Sequence, residues 1–466
     1  MQKDTLLKAP VLAALLFCAA APAARAGTAL TLSEAVAKSV SHSYELKSRD
    51  AELSRAEAGA RQAAAMRLPV LQLRSDLTRG DDPVYVFGSL LRQKKFGMSD
   101  FAIDKLNEPE PKVNFSNSLE LGLPLFTGFR IRDYRRLAGI AVEQGRKVRG
   151  FAGEGAAFET IQKYLMLALK TELARIADET ISSTKEEIAA ADRLKDKGFV
   201  LGSDYYAAQA VLSSLSAART GFISEARGTA AAINVRMGLE PETPLTLPGT
   251  LGKHVYRLPA EQELIRNAGT LRGDISAAKL QAEAAEIQRK LETNSMLPQI
   301  SAFAALQTNT EDLSSNPFQH MAGISMTIPF GDFARGARGE EKAAAKAQAE
   351  NSALAMRDAA AGLIAEYYRN YESAEAVLPQ AEETIANASR SLELFKPMFR
   401  QGRQSVLEVV RAEAALMGAR AALAEAVFKV HSYYAALMFF SGNLDETRTA
   451  EISAALSGVE RSDTIQ

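Results

Sequence analysis

Four short segments alternate apolar and polar residues at period two, and they limit the fold more than any other feature of the chain. In the first, Leu71, Leu73 and Leu77 share one face while Gln72, Arg74 and Asp76 share the other. In the second, Phe115, Leu119, Leu121 and Leu123 oppose Ser116, Ser118 and Glu120. In the third, Ile300, Ala302, Ala304 and Leu306 oppose Gln299, Ser301 and Gln307; in the fourth, Ala322, Ile324, Met326 and Ile328 oppose Gly323, Ser325 and Thr327. Each is about 9–11 residues, the length of a strand crossing a bilayer at a tilt. A half-buried soluble sheet gives the same alternation, but nothing in the flanking sequence would cover one. An apolar outside and polar inside mark a membrane barrel. Every backbone group in lipid needs a partner, so the sheet must close, and single-chain barrels begin at about eight strands. Four strands therefore require at least one further copy of the chain.

Export is written at the N-terminus. Lys3 and Lys8 precede an apolar run at 9–24, and Ala24 and Ala26 place small residues about a cleavage point before Gly27. Cys18, the single cysteine, lies within this segment; lipidation of it is the alternative, against which stands the bulky Phe17 before it. The mature chain then has no thiol and no disulfide. A net charge of -1 over 466 residues argues against nucleic-acid binding. His42, His254, His320 and His431 are scattered without metal-ligand spacing. Neither a phosphate loop nor a serine elbow is present, so the chain is read as no enzyme, with no cofactor and no metal.

Nearly seventy residues from 127 to 195 lack proline. As one helix they reach about 100 Å at 1.5 Å per residue. Phe151, Phe158, Ile161, Leu165 and Ala168 step along it as a coiled-coil seam, as do Val410, Ala414, Met417 and Ala421 later in the chain.

The chain is also a duplication. LSEAVAKSV leading to AMRLPVLQL is echoed by LPAEQELIR leading to SMLPQISAF. VNFSNSLELGLPLFTGFR is echoed by MAGISMTIPFGDFAR, and KGFVLGSDYYAAQAVL by QGRQSVLEVVRAEAAL. Pro69 and Pro298 mark helix-to-strand changes; Pro124 and Pro329 are expected to end strands, with Gly128 and Gly331 supplying the turns into helices. The expected organisation is a signal segment at 1–26, then a first repeat at 27–238, with strands near 69–79 and 114–124 and long helices at 128–195 and 204–237. A linker or small equatorial side element follows at 239–257, then a second repeat at 258–443, with strands near 298–308 and 320–329 and long helices at 332–400 and 405–440. In each repeat one helix precedes the first strand. A polar, loosely ordered tail is expected at 444–466.

These landmarks, in this order, resemble the TolC-type outer membrane efflux proteins over nearly all of the mature chain. The resemblance implies a mainly α fold with a membrane β-barrel part. Long antiparallel coiled-coil helices would form a periplasmic α-barrel, and a homotrimer would build a twelve-stranded barrel in the outer membrane of a Gram-negative cell. It implies a passive, cofactor-free conduit, partnered by a periplasmic adaptor, an inner-membrane transporter and outer membrane lipid. Small-molecule efflux is the favoured cargo reading. Type I protein secretion is the alternative, and a soluble periplasmic coiled-coil adaptor or scaffold is the alternative of another class. Carried over by position, the adaptor-docking tips are Lys197, Gly198 and Phe199 with Gln401, Gly402 and Arg403. The periplasmic gate is Asp204, Gln404, Glu408 and Arg411. Arg411 stands where well-known members carry a second acid, so it is expected to pair with Glu408 or to cross to Asp204. The loop at 80–114, long for a barrel and holding Tyr85, Phe87, Phe96 and Phe101, is expected either to pack its own aromatics as a lid or to offer a contact surface.

Overall fold

The computed structural model describes residues 30–247, 251–312 and 317–457. The signal segment, Cys18 and the last residues of the tail lie outside the described residues. The duplication is visible in element lengths. The first half runs α1 (Leu32–His42, 11 residues), α2 (Tyr44–Ala65, 22), β1 (Val70–Gly80), β2 (Lys112–Thr127), α5 (Arg130–Lys195, 66) and α6 (Gly202–Arg236, 35). The second runs α7 (Glu261–Leu271, 11 residues), α8 (Gly273–Thr293, 21), β3 (Gln299–Thr310), β4 (Phe318–Thr327), α9 (Arg335–Arg400, 66) and α10 (Val406–Ser441, 36). Two short helices, α3 (Pro83–Arg92) and α4 (Ile103–Asn107), sit between β1 and β2.

Three expectations need correction. The single helix before each first strand is two, broken at Ser43 and at Arg272, whose ψ of 115° and 125° are extended. Ser43 caps α2 by accepting from Leu46 N–H, Gly273 follows Arg272, and a glycine packs closely against each break. Gly238 and Gly442, both left-handed, end α6 and α10 against these breaks; a Cβ at Gly238 would meet His42 Cε1 at 2.4 Å, and one at Gly442 would meet Arg272 N at 2.9 Å. Second, Pro124 does not end a strand. It pairs with Ser301 inside β2, a bulge takes up Leu125, and Phe126 and Thr127 still pair with Ile300 and Gln299. Third, the tail is not loose as far as it is described: α11 (Glu446–Ser457) packs back with Ile452 and Leu456 buried.

The strands form one antiparallel sheet in the order β1-β2-β3-β4. Its register aligns Leu73, Leu119, Leu306 and His320 on one face and Arg74, Ser118, Gln307 and Gln319 on the other. Leu71, Leu73, Leu77, Leu306 and Ile324 stay exposed, and β1 and β4 are open edges. Among the described residues, no helix is long and apolar enough to cross a membrane.

The main core lies at the waist, where α1, α5, α7, α9, α10, α11 and residues 251–258 meet. Tyr256 is its keystone. Its ring stacks on Tyr434 at 3.7 Å, and its N–H donates to the Tyr371 hydroxyl at 2.8 Å. Its own hydroxyl donates to His431 Nδ1 at 2.6 Å. His431 Nε2 must donate, because its partner at 2.8 Å is the Gly252 carbonyl. Burial holds this imidazole down at about 4. Tyr434 in turn donates to Glu451 of α11 at 2.7 Å, which pairs with Arg448.

Candidate functional site

The two helix hairpins turn alike. Phe199 N–H bonds to the Leu194 carbonyl at 3.0 Å and Arg403 N–H to the Met398 carbonyl at 2.9 Å. Gly198 and Gly402 take the left-handed position inside each turn. Both are therefore Schellman ends, and each presents an exposed tip. Lys197, Gly198 and Phe199 are exposed, Phe199 at 75%, as are Gln401, Gly402 and Arg403. Phe199, Leu201 and Tyr206 are exposed in this turn and the start of α6, as are Lys197 and Arg193.

The structure brings the expected gate residues close but divides them. Asp204 Oδ2 accepts from Ser405 Oγ at 2.6 Å, joining the start of α6 to the start of α10. Ser405 also caps α10 by accepting from Leu407 N–H at 3.1 Å. Arg411 pairs with Glu408 at 3.0 Å, one turn back on its own helix, and does not cross to Asp204 within the chain. Gln404 is half-buried in the turn. Nearby, Asp192 is held below the usual carboxylate range by Lys195 and then Tyr205, and Lys195 lies over the Tyr205 ring at 4.1 Å.

Sequence reasoning missed what stands above the tips. Lys396 of α9 pairs with the buried Glu413 of α10 at 2.6 Å and lies 3.8 Å from the buried Glu187 of α5. Arg400 reaches Glu187 at 3.6 Å, and Lys396 also donates to Ser183 Oγ at 2.9 Å. This ties three helices by charge. The available signal was spacing: Thr180, Thr184, Glu187 and Ala191 step by four, three and four, which puts a carboxylate on a seam.

At the other end, the loop joining β1 and β2 folds on the sheet. Val86, Ser89 and Gln93 form the buried face of α3. Gln93 donates to Asn114, Asn114 to Asn309, both at 3.0 Å, and Gln319 to the Arg92 carbonyl at 2.7 Å. Asn114, Asn309 and Gln319 all belong to the polar face, so α3 lies against that face. Phe96 packs edge-on to Phe87 and Phe101, and Lys95 pairs with Glu311 at 2.8 Å. Pro69 and Pro298 directly precede β1 and β3, and Pro329 lies just past β4. Gly128 and Gly331 are left-handed at the strand-to-helix turns, as is Phe129 beside Gly128.

A sheet with one apolar exposed face, carried on two pairs of very long helices, has counterparts among known structures. CusC, described through its folding and transmembrane channel formation, superposes with a TM-score of 0.76 at 16% identity, over 90% of this chain and 93% of that one. The outer membrane protein VceC of Vibrio cholerae gives 0.75 at 17%, over 88% and 96%. The Campylobacter jejuni CmeC outer membrane channel gives 0.74 at 15%, over 92% and 90%. The profile of the outer membrane efflux protein family matches residues 264–443, nearly the whole second repeat. The second repeat thus matches the outer membrane efflux protein family, and the chain as a whole shares the fold of these channel structures. No curated protein matches the chain. Among the described residues, no group of His, Cys, Asp and Glu could hold a metal ion.

Proposed function

We propose that the chain is one of three identical subunits of a passive outer membrane duct. In this reading an inner-membrane pump and a periplasmic adaptor deliver small molecules to it. The observation that carries the reading is the sheet: four strands, both edges open, one face apolar and exposed. In water such edges invite aggregation, and in lipid they cost several kcal/mol for each unpaired group. Pairing β1 of one copy with β4 of the next satisfies both edges, and three copies supply twelve strands. The same exposed apolar face argues against a soluble adaptor or scaffold. The tips at Lys197–Phe199 and Gln401–Arg403 are then where the adaptor docks. Asp204, Gln404, Glu408 and Arg411 form the entrance, with Arg411 left exposed towards a neighbouring copy.

The test is accumulation of dyes, antibiotics and metal ions in a strain lacking the chain. Raised accumulation of one class, reversed by restoring the chain, supports the efflux duct and names its cargo. Unchanged accumulation with polypeptides missing from the medium favours protein secretion. A protein released from membranes by alkaline carbonate overturns the duct altogether.

A further inference from the structure

The turn from β2 into α5 carries the apolar side of the sheet down onto one side of the helix. The bulge after Pro124 sets Phe126 opposite Ile300, which pairs with Met326 on the apolar face. Phe129 packs edge-on to Phe126 at 5.3 Å, and the Arg132 guanidinium lies over the Phe129 ring at 4.4 Å. Helix α5 is flanked by α2, through Arg149 to Asp50, and by α8, through Gln144 to Gln281. Its two free sides are thus distinct. Arg130 and Tyr134 share a groove with Thr127 and Gln299 of the polar face, so they belong to the duct side. Arg132 belongs to the membrane side. With 3.6 residues per turn, Arg135 and Arg136 lie about 60° and about 40° to either side of Arg132.

Depth agrees. At 1.5 Å per residue, these arginines sit about 3–9 Å below the helix start. Headgroups add roughly 5–8 Å on each side of the hydrocarbon core. Arg132 pairs with its buried neighbour Asp133 at 2.9 Å, while the other two charges are left available. Among the described residues Arg135 has no ion pair, and the Glu283 partner of Arg136, at 3.4 Å, is itself exposed. The duplicated helix differs at this point. Aligned on Arg130 and Arg335, α9 carries Glu340 and Glu341 where α5 carries Arg135 and Arg136. The positive patch is therefore a property of the first repeat and not of the architecture.

We propose that Arg132, Arg135 and Arg136 bind the headgroup phosphate of an anionic phospholipid in the membrane leaflet on the helix side of the barrel. Planar guanidinium forks suit a phosphate, and the Phe126–Phe129 step seats the glycerol and upper acyl chain beside them. This rests on the reading of the sheet as membrane-embedded.

The purified protein is reconstituted into vesicles of phosphatidylcholine containing one-fifth phosphatidylglycerol, re-extracted in mild detergent, and its retained lipid measured by mass spectrometry. Wild type is expected to retain phosphatidylglycerol several-fold above its bulk share. So is the duct-side control Arg130→Gln. The combined Arg132→Gln, Arg135→Gln, Arg136→Gln variant is expected to retain the bulk ratio, while three lysines in place of the three arginines keep most of the enrichment. Bulk composition on wild type, or equal enrichment on the glutamine variant, overturns the proposal. If the glutamine variant fails to fold, wild type and the lysine variant still decide it. Failure of wild type to insert into vesicles overturns the membrane reading itself, and the lipid site with it.

Discussion

The waist and the hairpin tips are built from the same two repeats and each has an apolar cluster, yet only the waist adds a buried polar network. At the waist, Tyr256, Tyr371, His431 and Tyr434 are buried and bonded to three separate segments. At the tips, a smaller apolar cluster around Phe399, Val406 and Val409 is joined by the Asp204–Ser405 bond and by ion pairs within one helix, such as Glu408–Arg411 and Asp192–Lys195, and the turn glycines have nothing near them. Exposed i,i+3 pairs contribute a few tenths of a kcal/mol, whereas buried aromatic networks set the global stability. The difference teaches where movement is cheap. In the duct proposed above, opening at the periplasmic end would rearrange the tips while the waist keeps the subunit folded.

The largest test of this contrast is a pair of truncations. Ile364 is fully buried in the waist core, so Ile364→Ala is expected to cost about 4 kcal/mol. Phe199 is exposed at its tip, so Phe199→Ala is expected to stay within about 0.5 kcal/mol. Urea unfolding followed by circular dichroism reads both; comparable losses would end the distinction.

Lys396 sits between the two regimes. Lys396→Met removes the cation shared by Glu413 and Glu187 and leaves two buried carboxylates, one with the Ser183 hydroxyl and the other with only Arg400 near it. A loss of about 3 kcal/mol is expected, and Lys396→Met with Glu413→Leu should recover part of it. If the double variant is no better than the single, the pair is not the source of the loss.

Acid sharpens the contrast further, because the waist holds two titrating groups of opposite sign. The folded pKa of His431, about 4, lies below its ordinary 6.5, so the unfolded chain takes the proton first. Stability from this group falls as pH drops from 6.5 towards 4. Glu154 of α5 is pushed up to about 7, by burial and then by Asp274, so the folded chain takes its proton first. Stability from it rises as pH drops from about 7 towards 4.5. The two largely offset, with the half-exposed Glu154 contributing less than its shift suggests. Glu154→Gln should therefore unmask His431: a fall of about 2 kcal/mol between pH 7.5 and pH 5, steeper than in wild type. Parallel pH profiles for the two proteins would contradict this.

Much of this was legible in the sequence because it repeats or alternates. Period two placed Leu73, Leu119 and Leu306 on one face, and the paired turn motifs located Gly198 and Gly402. What escaped depends on contacts between distant segments. The local marks of the helix breaks, Ser43 capping Leu46 N–H and Gly273 beside Arg272, are weak on their own, and the close approach of Gly238 and Gly442, almost 200 and 170 residues away, is visible only in the fold. Pro124 reads as a terminator since proline lacks a donor, but a bulge absorbs it without ending the ladder. The apolar residues of α11, Ile452 and Leu456, are too few to declare a helix before the waist is there to receive them.

The smallest expected effect on stability separates holding from gating most cleanly. Within one chain, Asp204 and Ser405 link the two hairpins, while Arg411 and Glu408 bond only along their own helix. The Arg411 side chain is 62% exposed, so Arg411→Ser should change stability by less than about 0.5 kcal/mol. If Arg411 pairs across to a neighbouring copy at the closed entrance, its loss should nevertheless raise single-channel conductance in planar bilayers. Ser405→Ala should do so too, by freeing Asp204, at a cost of about 1 kcal/mol for the lost helix cap. Higher conductance with an unchanged melt for Arg411→Ser would show that the tips gate without bearing the fold. Unchanged conductance in both variants would remove these residues from the entrance and leave them as solvated charges on the tunnel wall.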